Sequence, residues 1–174
     1  RQRVLRMRSF AISIAIVCAV STTAQAQWIS NKQGGDFDDD ATFIALTTQG
    51  DYAFGLRCTP GKPEVVYLTP DTSVTNDMYK VVNATEPKLR LKIDGGDVIN
   101  LTATMDNTDK GTMRAAADGT TSLYEQIRDA KSSVAVVLTM MGKNFHEKKF
   151  NTRGSREAVS KLVKGCKLAS GKGS

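Results

Sequence analysis

The chain has 174 residues, with 24 Lys and Arg against 18 Asp and Glu. Four of those arginines (Arg1, Arg3, Arg6 and Arg8) fall at the very start, so the remainder carries 20 basic against 18 acidic residues and is close to neutral. The basic character of the whole is therefore no sign of nucleic-acid affinity, and the length suits one domain whose core can form without staples.

The arginines precede an apolar run, Phe10 to Val20, that leads to Ala24-Gln25-Ala26. A basic lead, a short apolar stretch and a small-x-small site are the parts of a cleaved secretory signal, and the run is shorter than the about 20 residues needed to span a bilayer. The expectation is a signal over 1–26, a mature chain opening at Gln27 or Trp28, and a periplasmic or secreted protein without stable membrane insertion after processing. Cys18 lies inside the apolar run, and Val17 before it is not the small residue a lipidated cysteine requires. Cys58 and Cys166 remain. Two cysteines allow one internal pairing, and a disulfide is the default in an oxidising compartment. Buried free thiols or a redox pair are the alternatives, although no Cys-x-x-Cys is present.

Thr42 to Thr48 is rich in strand-forming residues and runs through Gln49-Gly50-Asp51 into Tyr52, Phe54, Leu56 and Cys58, which alternate with Ala53, Gly55 and Arg57. That period of two marks a strand with one buried face, and Cys58 falls on the apolar side. Thr59-Pro60-Gly61-Lys62-Pro63 then turns the chain into Glu64 to Leu68, so the three segments predict a meander. Leu89, Leu91 and Ile93 alternate with Lys88, Arg90 and Lys92, a strand with one wet basic face. Asp94-Gly95-Gly96-Asp97 folds it back into Val98 to Met105. Residues 106–119 are loop-like, with a weak strand around Thr112 to Ala116.

Ser122-Leu123-Tyr124-Glu125 has the form of a capping box and predicts a short helix near 122–131. Val134 to Met141 is apolar enough for a central strand, and Gly142-Lys143-Asn144 turns it into Phe145 to Thr152. Ser155 is placed to cap a C-terminal helix near 155–167, in which Val159, Leu162, Val163 and Cys166 form one stripe. The fold class is thus mainly β: an antiparallel β-sandwich or barrel-like sheet with two helices, a single domain over 27–168, and a disordered tail at 169–174.

Little in this pattern points to chemistry. His146 is the only histidine and stands among lysines, with no hydrolase or metalloprotease constellation around it; a solvated strand residue is the expectation. Asp36, Asp38, Asp39 and Asp40 form an acidic cluster, but Ala41 and Thr47 occupy the places where a calcium loop needs Gly and Glu. No catalytic residue, metal or cofactor is expected. Phosphate-cradling loops and basic residues interleaved with stacking aromatics are missing, which argues against nucleic acid. Charge is nevertheless uneven. Trp28 to Gly142 holds 11 basic and 16 acidic residues, and Lys143 to Ser174 holds 9 and 2. Such polarity steers a polyanion or an acidic partner toward the C-terminal end, unless it is merely a solvated face.

The order of short motifs resembles a known group. It consists of a tryptophan just after the signal, Phe37-Asp38-Asp39, and Arg57-Cys58 at a strand end. A short helix and a Val-rich strand follow, then Phe150-Asn151-Thr152-Arg153-Gly154-Ser155 leading into a helix that ends at Cys166. This is similar to the small periplasmic proteins of the invasion-associated locus B family and the VasI-type accessory proteins of type VI secretion. Val98-Ile99-Asn100-Leu101 departs from the VasI-type pattern, where a tryptophan follows the middle turn. The resemblance implies an exported β-sandwich without catalytic activity that acts through an envelope or host protein. A periplasmic inhibitor or small-ligand-binding module is the alternative. The residues expected to carry contact are Arg90 and Lys92 on the wet strand face, with Lys148, Lys149 and Lys161. The sequence sets no oligomeric state.

Overall fold

A computed structural model describes residues 27–34, 41–71, 74–108 and 111–168. The expected signal over 1–26, the acidic cluster at Asp36 to Asp40 and the expected tail at 169–174 lie outside the described residues. Nine strands and three helices follow one another: β1 (Ile29–Gln33), β2 (Thr42–Gln49), β3 (Tyr52–Thr59), β4 (Lys62–Thr69), α1 (Asn76–Ala84), β5 (Lys88–Ile93), β6 (Ile99–Asn107), β7 (Met113–Asp118), α2 (Thr121–Asp129), β8 (Ser133–Met140), β9 (Lys143–Asn151) and α3 (Ser155–Gly165). The strands form one antiparallel sheet in the order β1-β2-β3-β4-β7-β6-β5-β8-β9, which is not closed into a barrel.

The sheet becomes a sandwich through β6. Its first residues pair with β5, from Leu91↔Ile99 to Lys88↔Thr102, whereas Ala103 to Asn107 pair with β7. At the change of partner the Ala103 N–H donates to Pro87 O at 2.8 Å. One leaf is thus β1-β2-β3-β4-β7 with the end of β6, and the other is the start of β6 with β5-β8-β9. Their inner faces meet in a continuous core. Phe54 and Tyr67 of the first leaf lie 5.7 and 6.2 Å, centroid to centroid, from Phe150 of the second, and Leu56, Leu89, Leu91, Val136 and Leu138 are buried around them.

Where β5 diverges, the later half of β6 has an open edge, and α1 covers it. The Asn83 side-chain amide donates to Met105 O at 2.9 Å and accepts from Met105 N at 2.8 Å, standing in for the missing strand. Tyr79 donates to Asn107 Oδ1 at 2.7 Å from the same helix. This satisfies backbone groups that would cost about 1–3 kcal/mol each if buried unpaired.

The other two helices close one end of the sandwich. Tyr124 of α2 places its hydroxyl 2.9 Å from Arg57 O and 2.7 Å from Glu64 O, on the β3–β4 hairpin. Val159, Leu162 and Cys166 turn the predicted stripe of α3 into the core. A Cβ on Gly165 would sit 2.3 Å from the Phe43 ring, so only glycine lets the helix approach β2 this closely. Cys58 and Cys166 are joined in a disulfide, with Cα atoms 6.2 Å apart and a sequence separation of 108.

Several expectations need correction. β1 and α1 were not foreseen, and β7 is a full strand between β4 and β6, not a weak one in a loop. The cap of α2 is Thr120, whose Oγ1 accepts from Leu123 N at 3.1 Å, so Ser122 lies inside the helix. Gly154 caps α3 in the left-handed conformation that suits glycine (φ 83°). Ser155 instead is buried and donates to Arg128 O at 3.3 Å.

Candidate functional site

The two outer faces of the sandwich differ in chemistry. On the first leaf Ile44, Leu46, Ala53, Gly55, Val66 and Leu68 line a shallow apolar depression of about 240 Å³. Its flanking arginines are neutralised, Arg57 by Glu64 at 2.5 Å and Arg114 by a two-pronged pair with Asp106. The second leaf presents cations. Arg90 and Lys92 point outward from β5, because Leu89 and Leu91, which alternate with them, point in.

β5 pairs with β8 in the register Arg90↔Val137 and Lys92↔Ala135, and Ala135 in turn pairs with Lys149 of β9. The small side chains of Ala135 and Val137 therefore form the floor of an open groove of about 190 Å³ along β8. Arg90 and Lys92 wall it on one side, Asn144 and Glu147 line the other, and Val98 lies at its end. Arg90 Nη1 reaches Asn144 Oδ1 at 3.4 Å across the groove, and that oxygen also accepts from Thr139 Oγ1 at 2.8 Å. Among the described residues, neither Arg90, Lys92 nor Lys149 has a carboxylate partner.

A clamp fixes the end of this leaf. The Asp94 carboxylate accepts from Lys131 N (2.8 Å), Ser132 N (2.7 Å), Ser132 Oγ (2.9 Å) and Ser133 N (3.0 Å), binding the β5–β6 turn to the start of β8. These donors, the Lys131 N–H first, hold its carboxyl well below the usual range. The contribution of a depressed carboxylate is full above its unfolded pKa of about 3.9 and is lost as pH falls through its folded value. Asp94→Asn tolerates the positive φ of 51° but lacks the charge. It is expected to melt below the wild type at neutral pH, with the gap closing below about pH 4. Melting curves in neutral and acid buffer check this, and a gap that widens in acid contradicts the clamp.

His146 is not the solvated strand residue the sequence suggests. Lys148 pairs with Val136 but Phe145 with Leu138, so His146 and Glu147 together oppose Val137 in a bulge, with His146 at φ 54°. The bulge turns its ring toward the seam between the leaves. Nδ1 lies 3.2 Å from the Tyr52 hydroxyl and Nε2 3.6 Å from Asp71 Oδ2. The Tyr67 hydroxyl donates to His146 O, and burial, followed by the neighbouring Tyr52, pushes its pKa upward. Lys148 does not join the groove; its Nζ sits 4.4 Å over the Tyr52 ring. The Tyr52 hydroxyl and the Asp71 carboxylate thus face the ring across the seam, and the groove does not reach it. The cluster holds the leaves together.

The structure therefore brings Arg90, Lys92 and Lys149 to one face and separates the other two predicted contact residues. Lys148 turns into the seam, and Lys161 lies on α3, paired with Glu157 at 2.6 Å. Asn144, Glu147, Ala135 and Val137 were not singled out from the sequence. Their alternation was visible, but their place beside Arg90 and Lys92 depends on a pairing between strands some 45 positions apart.

Fold and surface define a class: a two-leaved antiparallel β-sandwich, disulfide-tied to a C-terminal helix, with one apolar and one basic outer face. Its fold is similar to that in the crystal structure of invasion associated protein B from Bartonella henselae, with a TM-score of 0.52 and 11% sequence identity over 81% of this chain and 96% of that one. At that identity the likeness is one of fold. No family model and no curated protein matches the chain.

Proposed function

We propose that this chain is an exported, non-enzymatic protein of the periplasm or cell exterior that works by contact with an envelope or host protein. The fold it shares with an invasion-associated protein, across nearly all of that chain, is the observation that carries the reading. It favours the invasion-associated role over the secretion-accessory one. A core disulfide is consistent with an oxidising compartment. Among the described residues no helix is long and apolar enough to cross a membrane. The depressions on the two outer faces are open and smaller than the about 300–1,000 Å³ of ordinary small-molecule pockets, and the larger one beside Asp94, of about 320 Å³, is more open still, which favours a contact surface over a ligand-binding module.

Osmotic-shock fractionation of bacteria expressing the full chain, followed by crosslinking in the intact envelope, tests the proposal. The protein should appear oxidised in the periplasm or medium and crosslink to a discrete protein. Retention in the cytosol with reduced thiols would overturn it.

A further inference from the structure

The groove along β8 has a composition that selects among partners. Arg90 and Lys92 are two residues apart on one strand, which places them about 7 Å apart along the groove. Lys92 and Lys149 flank Ala135 on neighbouring strands, a separation of about 10 Å across it. Between these cations, none of which has a carboxylate partner among the described residues, the floor is apolar, and the wall carries one acid, Glu147, and one amide, Asn144. Glu147 repels any anionic group set beside it, and a uniformly charged polyanion also gains nothing from Ala135, Val137 and Val98. An extended polypeptide with carboxylates at alternate positions matches the spacing of the cations and can set its backbone, rather than an acid, beside Glu147. Its acidic side chains repeat at about 7 Å on the face turned to the groove, so their carboxylates reach Arg90 and Lys92 while their methylene stems cover Ala135 and Val137, and backbone N–H groups along its edge face Glu147.

We infer that the outer face of β5-β8-β9 docks an extended acidic segment of a partner protein, with Arg90, Lys92 and Lys149 supplying the charge and Ala135 and Val137 the apolar contact. This rests on the protein-contact reading above and gives that contact a place and a chemistry. Charge complementarity of this kind acts on the rate of encounter and on partner choice, and it weakens with salt.

Fluorescence anisotropy of the oxidised full chain with a labelled peptide of alternating Glu and Val tests the inference, with heparin as the competing polyanion and an alternating Lys and Val peptide as control. The Glu peptide should bind, the Lys peptide should not, and salt should weaken binding. Arg90→Glu with Lys92→Glu should reduce affinity by about tenfold or more, Lys149→Glu in the same direction, and Lys161→Glu on the distant helix by less than about twofold. Unchanged melting temperatures would confirm that the variants fold. No binding of the Glu peptide, an equal loss in Lys161→Glu, tighter binding of heparin through the same residues, or self-association through this face would each overturn the inference. A failed peptide assay sinks the groove while export and crosslinking still stand; failed export sinks the wider reading while leaving peptide binding intact.

Discussion

Replacing both Cys58 and Cys166 by alanine is expected to destabilise the domain by about 3–5 kcal/mol, and to lower its melting temperature by roughly 10–15 °C. The magnitude follows from topology. The bond joins the end of β3 to the end of α3 across 108 residues, and a loop of about 100 residues has a chain-entropy contribution of about 4.7 kcal/mol, an upper figure in practice. Both sulfurs are in the core, with Cys58 wholly buried and Cys166 at 1% exposure, so alanine also removes packed volume. The helix keeps other anchors in Val159, Leu162 and the Gly165–Phe43 contact. Weakening without complete unfolding is therefore the expected result.

Calorimetry of the wild type, the reduced wild type and the double variant checks this, and reduction alone should recover most of the shift. Alkylation of the native oxidised protein should leave both positions unmodified. Rapid labelling of both thiols without reduction, or coincident melting curves, would mean that the two cysteines do not tie helix to sheet.

The parts of this fold that were legible in the sequence are those decided by local pattern. The alternation from Tyr52 to Cys58 and the turn at Asp94-Gly95-Gly96-Asp97 each follow from the preferences of a few neighbouring residues. The stripe Val159, Leu162 and Cys166 is equally local. β1 escaped notice because every residue from Ile29 to Gln33 is exposed, and an edge strand without a buried face has no period to read. α1 places Tyr79 in the core but leaves Met78 and Val81 at 51% and 68% exposure, so apolar residues on both sides of the helix blur its stripe. β7 buries Met113, Ala115 and Ala117, none of them β-branched or aromatic, so they carry little strand signal. At α2, Thr120 and Ser122 are both competent caps; the capping-box spacing favours the second, and the chain path selects the first.

The candidate site shows the same division. The outward direction of Arg90 and Lys92 is a local property of β5. Which of the later lysines joins them depends on the bulge at His146, which turns Lys148 toward Tyr52 and leaves Lys149 facing out, and on the pairing of β5 with β8. The His146 seam is less legible still, since Tyr52, Asp71 and His146 meet only because the two leaves close on each other.

That closure has a second dependence, on Trp28. It precedes β1 at one edge of the sheet, yet its N–H donates to Arg153 O and its indole Nε1 to Asn151 O, each at 2.9 Å, at the end of β9 on the other edge. The ring is 2% exposed and stands edge-on to Phe54 at 5.9 Å, so it draws the two ends of the open sheet together over the core. Trp28→Ala removes the ring and leaves a cavity, and is expected to cost about 3–5 kcal/mol. Trp28→Phe keeps much of the apolar area but loses the indole donor, and should cost about 1–2 kcal/mol. Because this is the only tryptophan, unfolding of the variants must be followed by circular dichroism rather than fluorescence. The order wild type, then Phe, then Ala in denaturant midpoint supports closure by Trp28. If Phe proves as damaging as Ala, the hydrogen bond to β9 outweighs the packing. If neither variant moves the midpoint, the leaves are held by Phe54, Tyr67 and Phe150 without help from the edges, and β1 contributes pairing to β2 alone.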